Sequence, residues 1–171
     1  MIQGSLFLNP GEYFCGGPEV RIRTILGSCV AITLWHPDAL LGGICHYLLP
    51  QSTTASDGNN PRYADGAMVM MADWISRSGT NIKDYRAKIF GGGNMFCHQM
   101  NAKNNIGLKN IEAGRSLLNK YGIRLYAEDV GGNGYRNIIF DIRNGDVWVR
   151  RQLIADQSCH HTGDKHLCRS A

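Results

Sequence analysis

The sequence predicts an α+β domain, a mixed and largely antiparallel sheet system with two helices packed outside it. Three observations carry that prediction. Seven short runs alternate in polarity or are rich in β-forming residues: 20–23, 30–35, 44–49, 87–90, 123–127, 137–142 and 147–150. Two longer stretches, 64–78 and 105–121, repeat apolar residues at helical spacing. Glycine, proline and asparagine punctuate the junctions between them. A chain of 171 residues can bury one sizeable core, so 1–155 is expected as a single domain and 156–171 as a polar, flexible tail.

Taken in order, residues 1–19 read as an irregular lead-in, because Pro10-Gly11 and Gly16-Gly17-Pro18 are turn signals. Val20-Arg21-Ile22-Arg23 alternates as a half-buried strand does. Gly27-Ser28 interrupts the path to the β-forming run Val30 to Trp35, which puts Cys29 at a bend between two strands. His36-Pro37-Asp38 is a turn before the mostly apolar run Ile44 to Leu49. Gln51 to Pro61 is polar and is expected as an exposed, mobile loop near His46.

In the first helix Met68, Met71, Ala72 and Ile75 recur on one face, and Gly79 ends it. Its methionines serve better as core filler than as a binding surface, since Met packs irregular gaps. The strand Ala87 to Phe90 runs into Gly91-Gly92-Gly93. No Gly-Lys-Ser/Thr follows and no GxGxxG is present, so a tight turn or close backbone contact suits this run better than a phosphate cradle.

The second helix directs Leu108, Ile111, Leu118 and Tyr121 inward and stops at Gly122. Glu128 to Gly134 is a loop whose adjacent carboxylates suit solvent or backbone capping better than a catalytic pair. Asn144-Gly145 closes the last hairpin.

Composition narrows the function classes. The 43% hydrophobic and 19% charged content is that of an ordinary soluble protein. The net charge of +4 is scattered with no dense Lys/Arg run, so nucleic acid is not an expected partner. Met1 to Leu8 lacks the form of a secretory signal, and no run approaches the roughly 20 apolar residues of a membrane span. A cytoplasmic protein without membrane insertion is expected, with its cysteines (15, 29, 45, 97, 159 and 168) mostly reduced.

The chemistry centres on Cys29 and His46. A free thiol has a pKa of roughly 8.5 and is mostly protonated at neutral pH. A nearby imidazole can take that proton and later return it to a leaving group. A third group is needed to hold the imidazole tautomer, and a nearby hydroxyl such as that of Thr24 can do it. Backbone N–H groups around Gly27 and Ser28 can form an oxyanion hole, because glycine permits the backbone angles required. The plainer alternative is that both side chains are simply buried, as cysteine commonly is.

The order of several segments adds to this. Leu26 to Ile32, Gly43 to Pro50, Arg62-Tyr63-Ala64-Asp65, Ala87 to Gly93 and Glu128 to Gly132 occur in sequence and together resemble the chemoreceptor glutamine deamidase family, CheD. The resemblance runs from about Gly11 to Arg150. It implies a layered α/β sandwich and a cysteine hydrolase, a protein-glutamine glutaminase that converts receptor glutamines to glutamates in bacterial chemotaxis. It carries the family's Cys onto Cys29, its His onto His46 and its Thr, on the strand before the Cys, onto Thr24. It implies no metal and no organic cofactor. The implied partners are methyl-accepting chemotaxis receptors and, where an organism has one, the chemotaxis phosphatase CheC. It also suggests that the Gly91 run shapes a substrate groove.

Two rival classes stand beside it. One is a non-catalytic chemotaxis binding module that keeps the fold. The other is a metal- or redox-active thiol protein built on Cys45 and on the tail, where Cys159-His160-His161 and His166-x-Cys168 place soft ligands close together.

Overall fold

The computed structural model describes residues 4–53, 58–95 and 105–153. Among them are nine strands and two α-helices: β1 Gly4–Phe7, β2 Tyr13–Gly16, β3 Val20–Leu26, β4 Val30–His36, β5 Leu41–Tyr47, α1 Ala64–Arg77, β6 Arg86–Gly91, α2 Ile106–Tyr121, β7 Arg124–Val130, β8 Tyr135–Asp141 and β9 Asp146–Gln152. They form a four-stranded sheet, β1-β3-β8-β9, and a five-stranded sheet, β2-β5-β4-β6-β7. The β1–β3 and β6–β7 pairs are parallel and the rest antiparallel. The expected α+β sandwich, mixed and largely antiparallel with helices outside, is what the chain adopts.

Two separate cores define three layers. One, with Val30, Ile32, Cys45, Tyr47, Met68, Met71 and Ile111, lies between the five-stranded sheet and the helices. The other, with Leu8, Ile22, Leu26, Ala31, Ile44 and Phe140, lies between the two sheets. The five-stranded sheet is therefore covered on both faces, and β4 and β5 are buried almost continuously. Strand β3 has solvent behind it and alternates, with Ile22, Thr24 and Leu26 buried and Arg23 and Ile25 exposed.

Most boundaries fall where local chemistry puts them. Helix α1 begins at Ala64 as expected, with Met68, Met71 and Ile75 buried. Asn105 caps α2 by accepting from the Leu108 N–H, and Gly122 ends it with φ 69°. Gly145, at φ 74°, turns the last hairpin.

Four expectations need correction. The lead-in contains β1 and β2; these have no alternating burial, which is why a periodicity reading passes over them. Strand β5 starts at Leu41 and includes Gly42 and Gly43, because a Cβ at Gly43 would meet the Cys15 sulfur at 2.7 Å. Leu108 is exposed; the inward face of α2 is Gly107, Asn110, Ile111, Gly114 and Leu118. Glu128 and Asp129 sit in or at the end of β7 and form ion pairs, with Arg115 at 2.6 Å and with Arg151 at 2.9 Å respectively.

Candidate active site

Thr24 lies in β3, Cys29 in the bend between β3 and β4, and His46 in β5. Between the sheets the Thr24 hydroxyl meets the His46 ring, and Cys29 packs against the inter-sheet cluster. In the β4–β5 ladder Ala31 is directly opposite His46. Cys29 lies two residues before Ala31 and packs against the same inter-sheet cluster. His46 therefore projects toward the four-stranded sheet, where it meets Thr24 of β3, while its neighbour Cys45 projects into the helix-side core.

The Thr24 hydroxyl fixes the imidazole. Its Oγ1 donates to the Leu8 carbonyl at 2.7 Å. It also lies 2.7 Å from His46 Nδ1. A hydroxyl has one proton, and a carbonyl can only accept, so Oγ1 must accept from Nδ1–H. This network places the ring proton on Nδ1 and leaves Nε2 with its lone pair. Nε2 is buried and makes no hydrogen bond to any described residue.

Burial lowers the His46 pKa to about 4, against the opposing effects of the Leu8 carbonyl and the Glu12 carboxylate. The imidazole is thus neutral at pH 7, as a base must be. Burial also raises the Cys29 thiol above its ordinary value. A neutral ring supplies no positive charge to favour a thiolate, so the resting pair is thiol and imidazole, not an ion pair.

The bend that carries Cys29 is tied down through its carbonyls. Gly27 C=O accepts from Gly93 N–H at 2.7 Å, and Cys29 C=O accepts from Gly92 N–H at 2.8 Å. Ser28 C=O accepts from Asn110 Nδ2 at 3.1 Å. In a trans peptide the C=O and the next N–H point opposite ways, so the N–H groups of Ser28 and Cys29 are aimed away from these anchors. The close contact explains the glycines. A Cβ at Gly91 would lie 2.2 Å from the Cys29 carbonyl oxygen, and Gly91 has φ 112°. The glycine run is a close backbone contact, the use favoured from sequence.

Two supporting residues had not been singled out for a role. Asn110 is fully buried in α2 and joins Ser28 C=O to Leu48 C=O, the latter at 2.8 Å. Arg136 is buried, donates to the Gly91 and Gly131 carbonyls, and is ion-paired with Asp129 at 3.1 Å. The available signal for Asn110 was a polar side chain on a face otherwise made of Gly107, Ile111, Gly114 and Leu118. Arg136 carries no such mark, since two of its three partners are backbone carbonyls, which leave no trace in residue type.

Cys15, Cys29 and Cys45 are free thiols. Among the described residues no group of three His, Cys, Asp or Glu side chains is placed to hold a metal ion. The tail on which the metal reading rests lies outside the described residues, as does Cys97. No helix among the described residues is long and apolar enough to cross a membrane.

A thiol, a neutral imidazole and an orienting hydroxyl on a two-sheet, two-helix sandwich are the parts of a cysteine-type acyl-transfer site. Comparison with known proteins gives the family. Residues 48–151 match the profile described as CheD chemotactic sensory transduction. The chain is 42% identical over 149 residues to a probable chemoreceptor glutamine deamidase CheD of Pseudomonas fluorescens, covering 86% of this chain and 84% of that one. It is 38% identical over 161 residues to a probable chemoreceptor glutamine deamidase CheD 1 of Chromobacterium violaceum, covering 92% and 83%. A relative with the latter name in Leptospira interrogans is 36% identical, covering 85% and 92%. The chain belongs to the CheD family.

Proposed function

We propose that this protein is a chemoreceptor glutamine deamidase that works through Cys29, His46 and Thr24. The observation that carries the residue roles is the Thr24 hydroxyl bridging the Leu8 carbonyl and His46 Nδ1, both at 2.7 Å. It leaves a neutral Nε2 as the base on the same face as Cys29.

In the first half-reaction His46 Nε2 takes the Cys29 proton as the sulfur attacks the side-chain amide carbon of a receptor glutamine. The N–H groups of Ser28 and Cys29, beside Gly27, receive the oxygen as it becomes negative. A ring with a pKa near 4 holds its new proton weakly and passes it to the departing nitrogen, releasing ammonia and leaving a thioester. In the second half a water loses a proton to Nε2 and attacks the thioester. The imidazolium then returns a proton to the sulfur. The products are glutamate on the receptor and the free thiol. No metal or organic cofactor enters this sequence. A target on a receptor calls for an accessible groove, and the Gly91 run beside Cys29 is well placed to shape one.

The protein acts on methyl-accepting receptors from the cytoplasm, as one domain spanning 1–155 with a dispensable tail from 156. In organisms with the phosphatase CheC, that protein is its second partner. The test is incubation with a receptor cytoplasmic fragment and peptide mass mapping of Gln-to-Glu conversion. Wild type is expected to convert specific glutamines and Cys29→Ala none. A folded Cys29→Ala protein with wild-type turnover would sink the mechanism.

A further inference from the structure

No element of the described fold covers the outer face of the four-stranded sheet. Strand pairing sets two rows of side chains across it. Phe7 is opposite Arg23, Arg23 opposite Ile139, and Ile139 opposite Trp148. In the next row Ile25 is opposite Asn137, and Asn137 opposite Arg150. Together they line a groove of about 340 Å³. Phe7, Ile25 and Trp148 are each nearly half exposed, at 48%, 46% and 48%. Three large apolar side chains left in one concavity mark an interaction surface more than a default of packing.

The charged residues lining the groove are Arg23 and Arg150, both positive; the exposed acid Asp146 lies outside it, opposite Asp141. Arg23 and Arg150 make no ion pair with any described residue. The acid beside them in the sheet, Asp141, is buried and neutralised by Arg21 at 2.7 Å and Arg143 at 2.8 Å. Arg21 also lies over the Trp148 ring, 5.4 Å from its centroid, and so holds the indole in place. A fixed Trp in an apolar groove with free arginines has the makeup of a protein-binding hot spot.

We propose that this face docks an acidic, amphipathic segment of the receptor substrate, with apolar side chains in the groove and carboxylates at Arg23 and Arg150. This rests on the deamidase reading. Charge complementarity selects the occupant, and deamidation itself leaves the substrate more acidic with each turnover. Phe7 and Trp148 stand at opposite ends of their row with Arg23 and Ile139 between them, so they form no continuous platform on which successive bases would stack. A concave floor does not match a lipid surface. The face is also the reverse side of the strand that presents Thr24 to His46, so a segment seated there lies on the same wall as the reaction site.

The experiment compares wild type with Arg23→Glu/Arg150→Glu, Arg150→Glu alone and Trp148→Ala. Turnover is measured on a receptor cytoplasmic fragment and on a short glutamine peptide. The double reversal is expected to raise KM for the fragment at least tenfold with kcat within twofold, and to leave the short peptide unaffected. The two single variants should move KM the same way by less. Arg150 sits on an edge strand, so its reversal keeps the test alive if the double variant fails to fold. Calorimetric binding of the fragment to Cys29→Ala protein, with and without the reversals, needs no turnover. Arginine-dependent binding without conversion by wild type would sink the deamidase reading and leave the docking face standing. Conversion with KM unchanged by every variant would overturn the docking face. So would an equal loss on the short peptide, or reversals that abolish binding to anionic vesicles or single-stranded DNA while fragment binding persists.

Discussion

Cys45 and His46 are adjacent on β5 and face opposite sides of the same sheet. On the helix side, Cys45 is fully buried, its thiol 3.9 Å from the Ile32 carbonyl, and burial pushes its pKa up to about 12. Cys15, on the same side, is likewise pushed to about 12. The Tyr47 hydroxyl there donates to the Asn110 carbonyl at 2.7 Å. On the inter-sheet side, His46 is as deeply buried as Cys45, yet it is held by an oriented hydroxyl and keeps a free lone pair. Cys29, packed against the inter-sheet cluster, is only half-buried. The difference teaches that burial alone makes a group inert, whereas burial with one fixed partner makes it a poised base.

The largest effect should come from breaking the inter-sheet side. His46→Ala is expected to lower kcat by roughly 10²–10⁴, the usual range for a lost general base. Thr24→Val, which keeps the shape and removes the hydroxyl, should lower it by about tenfold, because it loosens tautomer and orientation without removing the base. It should also cost about 1–3 kcal/mol of stability by leaving the Leu8 carbonyl and His46 Nδ1 unpaired. Steady-state kinetics and urea melts check both. A kinetically silent Thr24→Val would break the comparison, since the hydroxyl is what distinguishes His46 from an ordinary buried side chain.

How much of this could be read from sequence follows from the same contrast. The bend at Gly27-Ser28, the alternation of Val20 to Arg23, and the Asn144-Gly145 hairpin are local, and local signals are legible. Strand β1, Asn110 and Arg136 were not assigned because their reasons are long-range. The inward face of α2 includes Gly107 and Gly114, where a Cβ would lie 2.6 Å from the Gly92 carbonyl oxygen and 2.6 Å from the Tyr47 hydroxyl. Hydrophobic periodicity gives such glycines no weight, so Leu108 was chosen in their place. The Leu8 carbonyl, which decides the tautomer, is a backbone atom and leaves no trace in residue type.

The next effect is on pH. An unfolded histidine has a pKa of about 6.5, and the folded His46 value is about 4. Above pH 6.5 both states are neutral and the residue makes stability independent of pH. As pH falls from 6.5 to 4, the unfolded chain takes up a proton that the folded chain refuses. Stability therefore drops across that window, by about 1.4 kcal/mol per pH unit at most, or about 3 kcal/mol in all. Wild type should lose more stability than His46→Gln between pH 7 and 4.5. The acid limb of kcat/KM should likewise lie well below pH 6. A half-maximal rate near pH 6.5 would mean that the imidazole is as solvated as a free one, and the two sides of the sheet would no longer differ as described.

A smaller effect tests the bridge between the sides. Asn110 reaches from the helix layer to the Ser28 and Leu48 carbonyls. Asn110→Ala should cost about 1–3 kcal/mol through those unpaired carbonyls. It should lower kcat only a few-fold, because Gly92 and Gly93 still anchor the bend. A loss as large as that of His46→Ala would make Asn110 part of the chemistry and not its support.

The smallest effect belongs to Cys45. Its thiol faces the helix-side core, away from Cys29 and His46, and its only hydrogen bond is the long one to Ile32. Cys45→Ala removes one buried sulfur, so stability should fall by about 1 kcal/mol, near the low end for a small core truncation. Turnover should stay within twofold of wild type. Limited iodoacetamide labelling at neutral pH, read by peptide mapping, supplies the companion measurement. Cys29 is half-buried, whereas Cys15 and Cys45 have thiols pushed to about 12. Thiolate fraction favours Cys29 over both, and access favours it over Cys45. It should label ahead of those two, and His46→Ala should slow its labelling without changing theirs. If Cys45→Ala cut turnover as deeply as Cys29→Ala, or if Cys45 labelled first, the helix side would not be the closed face that its packing defines, and the reactive thiol of this sheet would have to be sought there.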